Sequence, residues 1–281
     1  MILNLLGKNI QISQYLLNIS ISSKYLNIQI STKYLNFNEF NSNRSVSNST
    51  FAQNNNKTTM EIHQTNKTAL LFGATGLVGG FVLEKLLASP AYSKVTAFTR
   101  KPLSIHHPKL DNPIIDFEKM PTYSHLIKGD DLFLCLGTTM KKAGSKEAFK
   151  RVDFDYPFQA AKMASSNGVK QVLLCSAVDA NSKSAIFYNQ IKGMMEDELK
   201  KMPFESVQIF QPSILLGDRT EDRKAERIGI VVSKFLDIIF GKWIGKYRPV
   251  EGEQVAAAMV TAAKFSNKGV SVYNSNKIKN G

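Results

Sequence analysis

The chain of 281 residues contains little of what marks secreted or membrane-spanning proteins. Cysteine occurs only twice, at Cys135 and Cys175, and each lies in a short apolar run typical of a strand. We therefore expect two buried, reduced thiols, with no disulfide framework and no oxidising compartment. The sequence has no run of 18 or more apolar residues, so it predicts no transmembrane helix.

Metal ligands and dense basic clusters are also scarce. Of the four histidines, His106 and His107 are adjacent, but no acidic residue or cysteine stands around them at ligand spacing. We expect an exposed loop there and no metal site. The net charge of +13 comes from scattered Lys and Arg residues, without a run of five. This scatter favours a solvated surface and an anionic cofactor, and nucleic acid is not expected as a partner.

The first 59 residues differ in composition from the rest. They are rich in Asn, Ser and Ile and contain an imperfect Lys-Tyr-Leu-Asn repeat around Tyr25 and Tyr34, which does not predict a packed domain. Three explanations stay open: a disordered or aggregation-prone tail, a transit peptide, or translation that starts at Met60. We favour the last, because ordered patterning begins within ten residues of Met60. No secretory pattern is visible, and a cytoplasmic location is expected.

Residues 60–281 alternate between strand-like and helix-like segments. Strands are predicted at 68–73, 94–100, 112–116, 131–137, 171–176 and 206–211, with a short edge strand at 270–273. Helices are predicted at 77–87, 146–167, 187–202 and 254–265. Apolar strands between amphipathic helices indicate an α/β fold with a doubly wound parallel sheet, the Rossmann fold. We expect one domain with a small C-terminal substrate region.

The strongest local signal is a glycine turn between the first strand and helix of this region. Gly73 permits the sharp turn, Gly76 lets the backbone approach a pyrophosphate, and Gly79 lets the helix pack on the strand. The helix N-terminus supplies N–H groups and the positive end of a dipole for the anion. The turn therefore predicts a bound dinucleotide. Its other expected contacts in the turn are Thr75, Leu77 and Val78.

The end of the second strand bears on which dinucleotide binds. NAD sites usually carry an acid here for the ribose 2′-hydroxyl, whereas NADP sites use a basic residue for the 2′-phosphate. This strand ends in Arg100 and Lys101, with no acid, so the sequence favours NADP(H). The alternative is that the basic pair only faces solvent. Asp116, which ends the third predicted strand, is assigned to the adenine side or to a turn.

A set of three residues suggests the chemistry. Tyr188 and Lys192 are four residues apart on a predicted helix, so they lie on one face. A phenol can act as general acid and base, and an ammonium beside it lowers its pKa toward neutrality. Ser176 closes the strand before this helix, at the sheet edge where ligands bind, and can orient a carbonyl oxygen. We expect these three residues to be catalytic.

The motifs resemble the short-chain dehydrogenase/reductase superfamily, in which a Ser, Tyr and Lys triad follows the glycine turn. More closely, the chain resembles the atypical group typified by the human Tat-interacting oxidoreductase, over about residues 68–272. The segments that carry this likeness are 73–79, 135–145, 151–157, 187–193, 211–217 and 247–248. The resemblance implies NADP binding and oxidoreductase activity without a specified substrate. Further cofactor contacts are assigned on these segments to Leu136, Gly137, Thr138, Pro212, Tyr188 and Lys192.

The leading hypothesis is an NADP-dependent oxidoreductase acting on a carbonyl or alcohol. One alternative is an NADPH-binding sensor or scaffold that acts through a protein partner, and another is an NAD-dependent sugar-nucleotide epimerase or dehydratase. The apolar stretch 228–243 is expected to cover the substrate pocket, with a homodimer surface or membrane contact as alternatives. Asp153 and Asp155 are expected to anchor a helix near the cofactor. Arg219, Arg223 and Arg248 could meet an anionic substrate or be surface charge.

Overall fold

The computed structural model describes residues 18–22, 25–29, 66–216, 247–265 and 267–280. The chain divides into two compact units, residues 1–59 and 60–281. In the first unit, β1 (Asn18–Ser22) and β2 (Tyr25–Gln29) form an antiparallel pair, which the sequence did not predict. The apolar stretch 228–243, Arg219 and Arg223 lie outside the described residues.

In the described part of the second unit, seven strands form one parallel sheet. The strands of this unit are β3 (Lys67–Phe72), β4 (Tyr92–Phe98), β5 (Leu110–Asp111), β6 (Asp131–Leu134), β7 (Gln171–Cys175), β8 (Ser206–Gln211), β9 (Leu215–Leu216), β10 (Val250–Glu251) and β11 (Gly269–Asn274). The sheet order is β11-β8-β7-β6-β3-β4-β5, and β9 pairs separately with β10. The chain reverses its direction of winding between β3 and β6, which makes the switch point where such sheets bind ligands.

Helices cover both faces of the sheet. They are α1 (Leu77–Ala88), α2 (Met140–Ala143), α3 (Lys146–Lys150), α4 (Tyr156–Ser166), α5 (Phe187–Lys201), α6 (Gly252–Phe265) and α7 (Ser275–Asn280). Alternate side chains of β3 enter two separate apolar clusters: Ala69 and Leu71 pack with α1 and α6, whereas Leu70 and Phe72 pack with α4 and α5. The predicted doubly wound α/β fold is confirmed. Among the described residues, no helix is both long and apolar enough to span a membrane.

The third predicted strand, 112–116, is wrong. The structure has β5 two residues earlier and only a single bridge between Thr99 and Ile114. The Asn112 side chain explains the interruption, since it donates hydrogen bonds to Ala97 O at 2.6 Å and Thr99 Oγ1 at 2.9 Å. Pro113 follows and has no N–H to donate to a ladder. An unpredicted 3-10 segment, Phe117–Leu126, comes next.

The helix predicted at 146–167 is present as a continuous helical run to Ser166, but one turn of it is π-helical. The structure has α3, then a π-helical segment, Arg151–Asp155, and then α4. The wider turn of the π-helical segment brings the carboxylate of Asp153 to a buried position, 2% exposed. The strand predicted at 206–211 is β8 with the same ends, the other predicted strands and helices are present with shifted ends, and the edge strand predicted at 270–273 is β11.

Candidate active site

The glycine turn joins β3 to α1 under tight steric limits. Gly73 has a φ of +96°, and a Cβ there would lie 2.4 Å from the carbonyl carbon of Cys135, at the end of β6. A Cβ on Gly79 would lie 2.0 Å from Gly73 O. At Gly76 the nearest atom would be 3.4 Å away, so this position keeps room for a bound group. The turn is thus compressed against the sheet and open on its outer side.

Two adjacent cavities lie at this carboxyl edge of the sheet. The Tyr188 cavity, of about 500 Å³, is lined by Ser176, Tyr188 and Lys192. The Arg100 cavity, of about 480 Å³, is lined by Arg100 and Tyr156. Both cavities share residues of the glycine turn, of the loop after β6 and of α2: Thr75, Gly76, Cys135, Leu136, Gly137, Thr138 and Lys142. Their common wall fits an elongated ligand that crosses the glycine turn.

The three predicted catalytic residues line the same cavity. Ser176 directly follows β7, while Tyr188 and Lys192 lie one turn apart at the start of α5. Ser176 is 5% exposed and Lys192 6% exposed, whereas Tyr188 is 36% exposed and reaches the cavity mouth. The phenol is therefore the accessible member of a set whose other members are held in the interior.

Lys192 forms a buried ion pair that the sequence did not predict. Its Nζ lies 2.7 Å from Oδ1 of Asp153, and the other oxygen of Asp153 accepts a hydrogen bond from Thr138 N at 2.9 Å. Burial is the largest single influence and lowers the pKa of Lys192, but Asp153, with smaller contributions from Tyr188 and Cys175, more than offsets it and leaves this pKa raised. Asp153 therefore keeps the ammonium charged and ties it to the loop after β6.

Ser176 is held by a second buried acid. Its Oγ donates to Oε1 of Glu196 at 2.6 Å, and Glu196 is 3% exposed. The amide of Gln211, at the end of β8, donates to both oxygens of Glu196, at 2.9 and 3.0 Å. This network spans β7, α5 and β8 and fixes the Ser176 hydroxyl.

The two cysteines lie on the wall of the Tyr188 cavity and are not bonded to each other. Burial raises the pKa of Cys135, with a smaller contribution from Cys175 in the same direction. Burial likewise raises the pKa of Cys175 to about 11, against the opposing effect of Lys192. Both thiols are therefore protonated near neutral pH and are poor nucleophiles.

The Arg100 cavity has a more exposed set of polar groups. Tyr156 donates to Oε1 of Glu118 at 2.6 Å, and Arg151 pairs with the same oxygen at 3.2 Å. Burial, followed by the Glu118 carboxylate, raises the pKa of Tyr156 to about 12. Arg100, two residues after β4, and Lys142 in α2 add positive charge to the wall.

The structure does not bring every predicted cofactor residue to a cavity wall. Gly79 is buried beneath the turn, and Lys101, Asp116 and Pro212 line neither cavity. Asp116 instead caps the 3-10 segment by accepting from Glu118 N at 3.0 Å, in agreement with the turn alternative. Pro212 offers its carbonyl to Val178 N at 2.8 Å. The other predicted residues of the cofactor site line one or both cavities.

Two residues of the site were missed as site residues. Asp153 was expected only to anchor a helix, and Glu196 was not singled out. Glu196 had a sequence signal, because Tyr188, Lys192 and Glu196 stand at intervals of four and share one side of α5. Asp153 had only the signal of a carboxylate between two apolar residues, Val152 and Phe154.

Comparison with known proteins gives consistent matches. A sequence profile described as NAD(P)H-binding matches residues 73–209. The chain is 34% identical to HTATIP2 of Rattus norvegicus over 65% of its own length and 75% of that protein. It is 30% identical to FMP52 of Candida albicans, over 72% and 89% of the two chains. A UDP-N-acetylglucosamine 4-epimerase from Methanobrevibacter ruminantium superposes with a TM-score of 0.58 over 75% and 77% of the chains, at 16% identity, which shows a shared fold.

The expected cytoplasmic location is wrong as it stands. FMP52 of Candida albicans is named as a mitochondrial protein, which points away from a purely cytoplasmic location. The lack of a secretory pattern in the sequence does not by itself place a protein in the cytoplasm.

Proposed function

We propose a function from one premise: the chain belongs to the NAD(P)H-binding family that includes HTATIP2 and FMP52. In this proposal the protein is an NADP-dependent oxidoreductase that acts on the carbonyl or alcohol group of a small molecule. The observation that carries it is that Ser176, Tyr188 and Lys192 line one cavity next to the glycine turn.

The residues of the shared wall fit a dinucleotide. The N-terminus of α1 offers backbone N–H groups to a pyrophosphate, and Gly76 leaves room for its approach. Arg100, in the second cavity, offers a cation for a 2′-phosphate, which supports NADP(H) over NAD(H). When bound, the nicotinamide supplies or accepts a hydride.

The protein supplies the proton and the orientation. Tyr188 gives a proton to a carbonyl oxygen during reduction and takes it back during oxidation. Lys192 stabilises the phenolate between these events, because its positive charge is maintained by Asp153. Ser176 orients the substrate. The apolar side chains of Leu77, Phe81 and Leu215 form other parts of the wall.

The test is Tyr188→Phe, with Tyr156→Phe as the matched control from the neighbouring cavity. NADPH oxidation is measured against a panel of aldehydes, ketones and quinones, and cofactor binding is measured by fluorescence. Loss of the proton donor should lower turnover by about 10²- to 10⁴-fold and leave the dissociation constant for NADPH unchanged. The control should keep most of the turnover. Equal turnover in wild type and Tyr188→Phe would contradict the assignment.

The same assay separates the alternatives. A sensor or scaffold predicts NADPH binding without turnover of any member of the panel. An epimerase or dehydratase predicts tight NAD binding and no net oxidation of cofactor. The shared fold with an epimerase at 16% identity does not favour that chemistry, and Arg100 stands where an acid for NAD is usual.

A further inference from the structure

The proposed chemistry uses Ser176, Tyr188 and Lys192 but leaves one buried ionisable group in the same network without a role. Glu196 follows Lys192 by one turn of α5 and is 3% exposed. Its Oε1 lies 2.6 Å from Ser176 Oγ. A buried carboxylate in contact with a residue of the reaction calls for a specific function, because burying a charge has a large desolvation cost.

The surroundings of Glu196 fix the direction of this hydrogen bond. The Gln211 amide donates to both of its oxygens, and the Lys200 ammonium lies 3.7 Å from Oε2. An amide N–H can only donate, so Glu196 accepts from Gln211, while the Lys200 ammonium adds positive charge nearby. The short contact with Ser176 then fits a hydroxyl proton that points at the carboxylate.

We propose that Glu196 is a positioning residue: it accepts the hydrogen bond that the Ser176 hydroxyl can donate. Ser176 can then act only as a hydrogen-bond acceptor toward the Tyr188 cavity. This inference rests on the proposed oxidoreductase function. The Ser176 oxygen then accepts a hydrogen bond from the hydroxyl of Tyr188 or of an alcohol substrate. A carbonyl oxygen receives its proton from Tyr188 alone, because Ser176 has no further proton to donate.

The decisive variant is Glu196→Gln, which keeps the shape of the side chain and removes its charge. The matched control is Glu198→Gln, since Glu198 lies on the same helix and pairs at the surface with Lys201 at 2.7 Å. With the best carbonyl of the panel, Glu196→Gln should lower kcat by roughly 10- to 100-fold, the range for losing one hydrogen bond to a charged group. The NADPH dissociation constant and the control variant should stay at wild-type values.

A double-mutant cycle separates positioning from a general structural effect. If Glu196 acts through Ser176, then Glu196→Gln should cause no further loss of kcat in a Ser176→Ala background. An equal loss in both backgrounds overturns the proposal. If Glu196→Gln does not fold, Glu196→Asp replaces it, because the shorter side chain keeps the charge but withdraws it from Ser176. We expect the same loss of kcat, and again no further loss in the Ser176→Ala background.

Absence of carbonyl turnover would contradict only the proposed function. A spectroscopic measurement still tests the inference about Glu196 in that case. Phenolate absorbance is measured as a function of pH with NADP⁺ present. Subtracting the absorbance of Tyr188→Phe leaves the contribution of Tyr188. Lys192, Asp153, Lys200 and the two cysteines are the other ionisable groups around this network, and each is the same in the compared proteins. Glu196→Gln should move the Tyr188 titration to lower pH, because Ser176 becomes able to donate to the phenolate. The proposal is overturned if Glu196→Gln does not move the Tyr188 titration, or if it causes an equal shift in the Ser176→Ala background.

Discussion

The two cavities on either side of the glycine turn hold their charges in opposite ways. In the Tyr188 cavity, Lys192 and Asp153 are paired in the interior, with side chains 8% and 0% exposed. Beside the Arg100 cavity, Arg151 and Glu118 are paired in solvent, with side chains 53% and 57% exposed. Exposed pairs contribute little to stability and are screened by salt, whereas breaking one partner of a buried pair is costly. The proposed chemistry thus lies at the end with the buried pair, and the proposed selection of NADP lies at the end with the exposed pair.

The largest expected effect comes from breaking the buried pair. Asp153→Ala leaves the Lys192 ammonium buried without its carboxylate and removes the acceptor of Thr138 N. We expect the free energy of unfolding to fall by about 3–5 kcal/mol. Urea denaturation followed by circular dichroism measures this change.

The neighbouring acid provides the control for this comparison. Asp155 pairs with Lys150 at 2.5 Å, but these side chains are 35% and 42% exposed. Asp155→Ala should therefore cost no more than about 1 kcal/mol. If Asp153→Ala and Asp155→Ala lower the free energy of unfolding by similar amounts, burial does not distinguish the two ion pairs.

The next effect concerns the turn that separates the cavities. Gly79→Ala places a Cβ 2.0 Å from Gly73 O, so the turn or α1 must shift, at an expected cost of about 1–3 kcal/mol in stability. NADPH binding should weaken as well, because the N–H groups of the turn move. Gly80→Ala is the control, since its Cβ would meet only Ala74 O at 3.6 Å. That variant should gain up to about 1 kcal/mol from helix propensity, and a loss equal to that of Gly79→Ala would argue against a steric cause.

The smallest effect is expected at the exposed end. Arg100→Ala should weaken NADPH binding roughly fivefold, about 1 kcal/mol, and leave NADH binding unchanged. Lys101→Ala is the matched variant, because Lys101 does not line either cavity, and it should bind NADPH like the wild type. Fluorescence titrations at two salt concentrations measure both, and the difference should shrink at high salt. Equal affinities in wild type and Arg100→Ala would remove the argument for NADP.

Local patterns allowed much of the fold and part of the site to be predicted. The glycine turn and the Tyr188–Lys192 spacing depend only on neighbouring residues, and the structure places them together. The contacts of Asp153 and Glu196 depend on distant partners: Thr138 lies in another loop and Gln211 in another strand. No single-segment pattern encodes such meetings. The third strand failed for a related reason, since the Asn112 side chain competes with the backbone ladder.

The π-helical segment Arg151–Asp155 also has a consequence for helical phase. In an α-helix each residue turns the side-chain direction by about 100°. Phe149 before the segment and Ala160 and Ala161 after it are fully buried, while Asp153 within it faces Lys192. The wide turn changes the direction of the side chains that follow it. One continuous helical run therefore buries apolar residues before and after the turn and the Asp153 carboxylate within it.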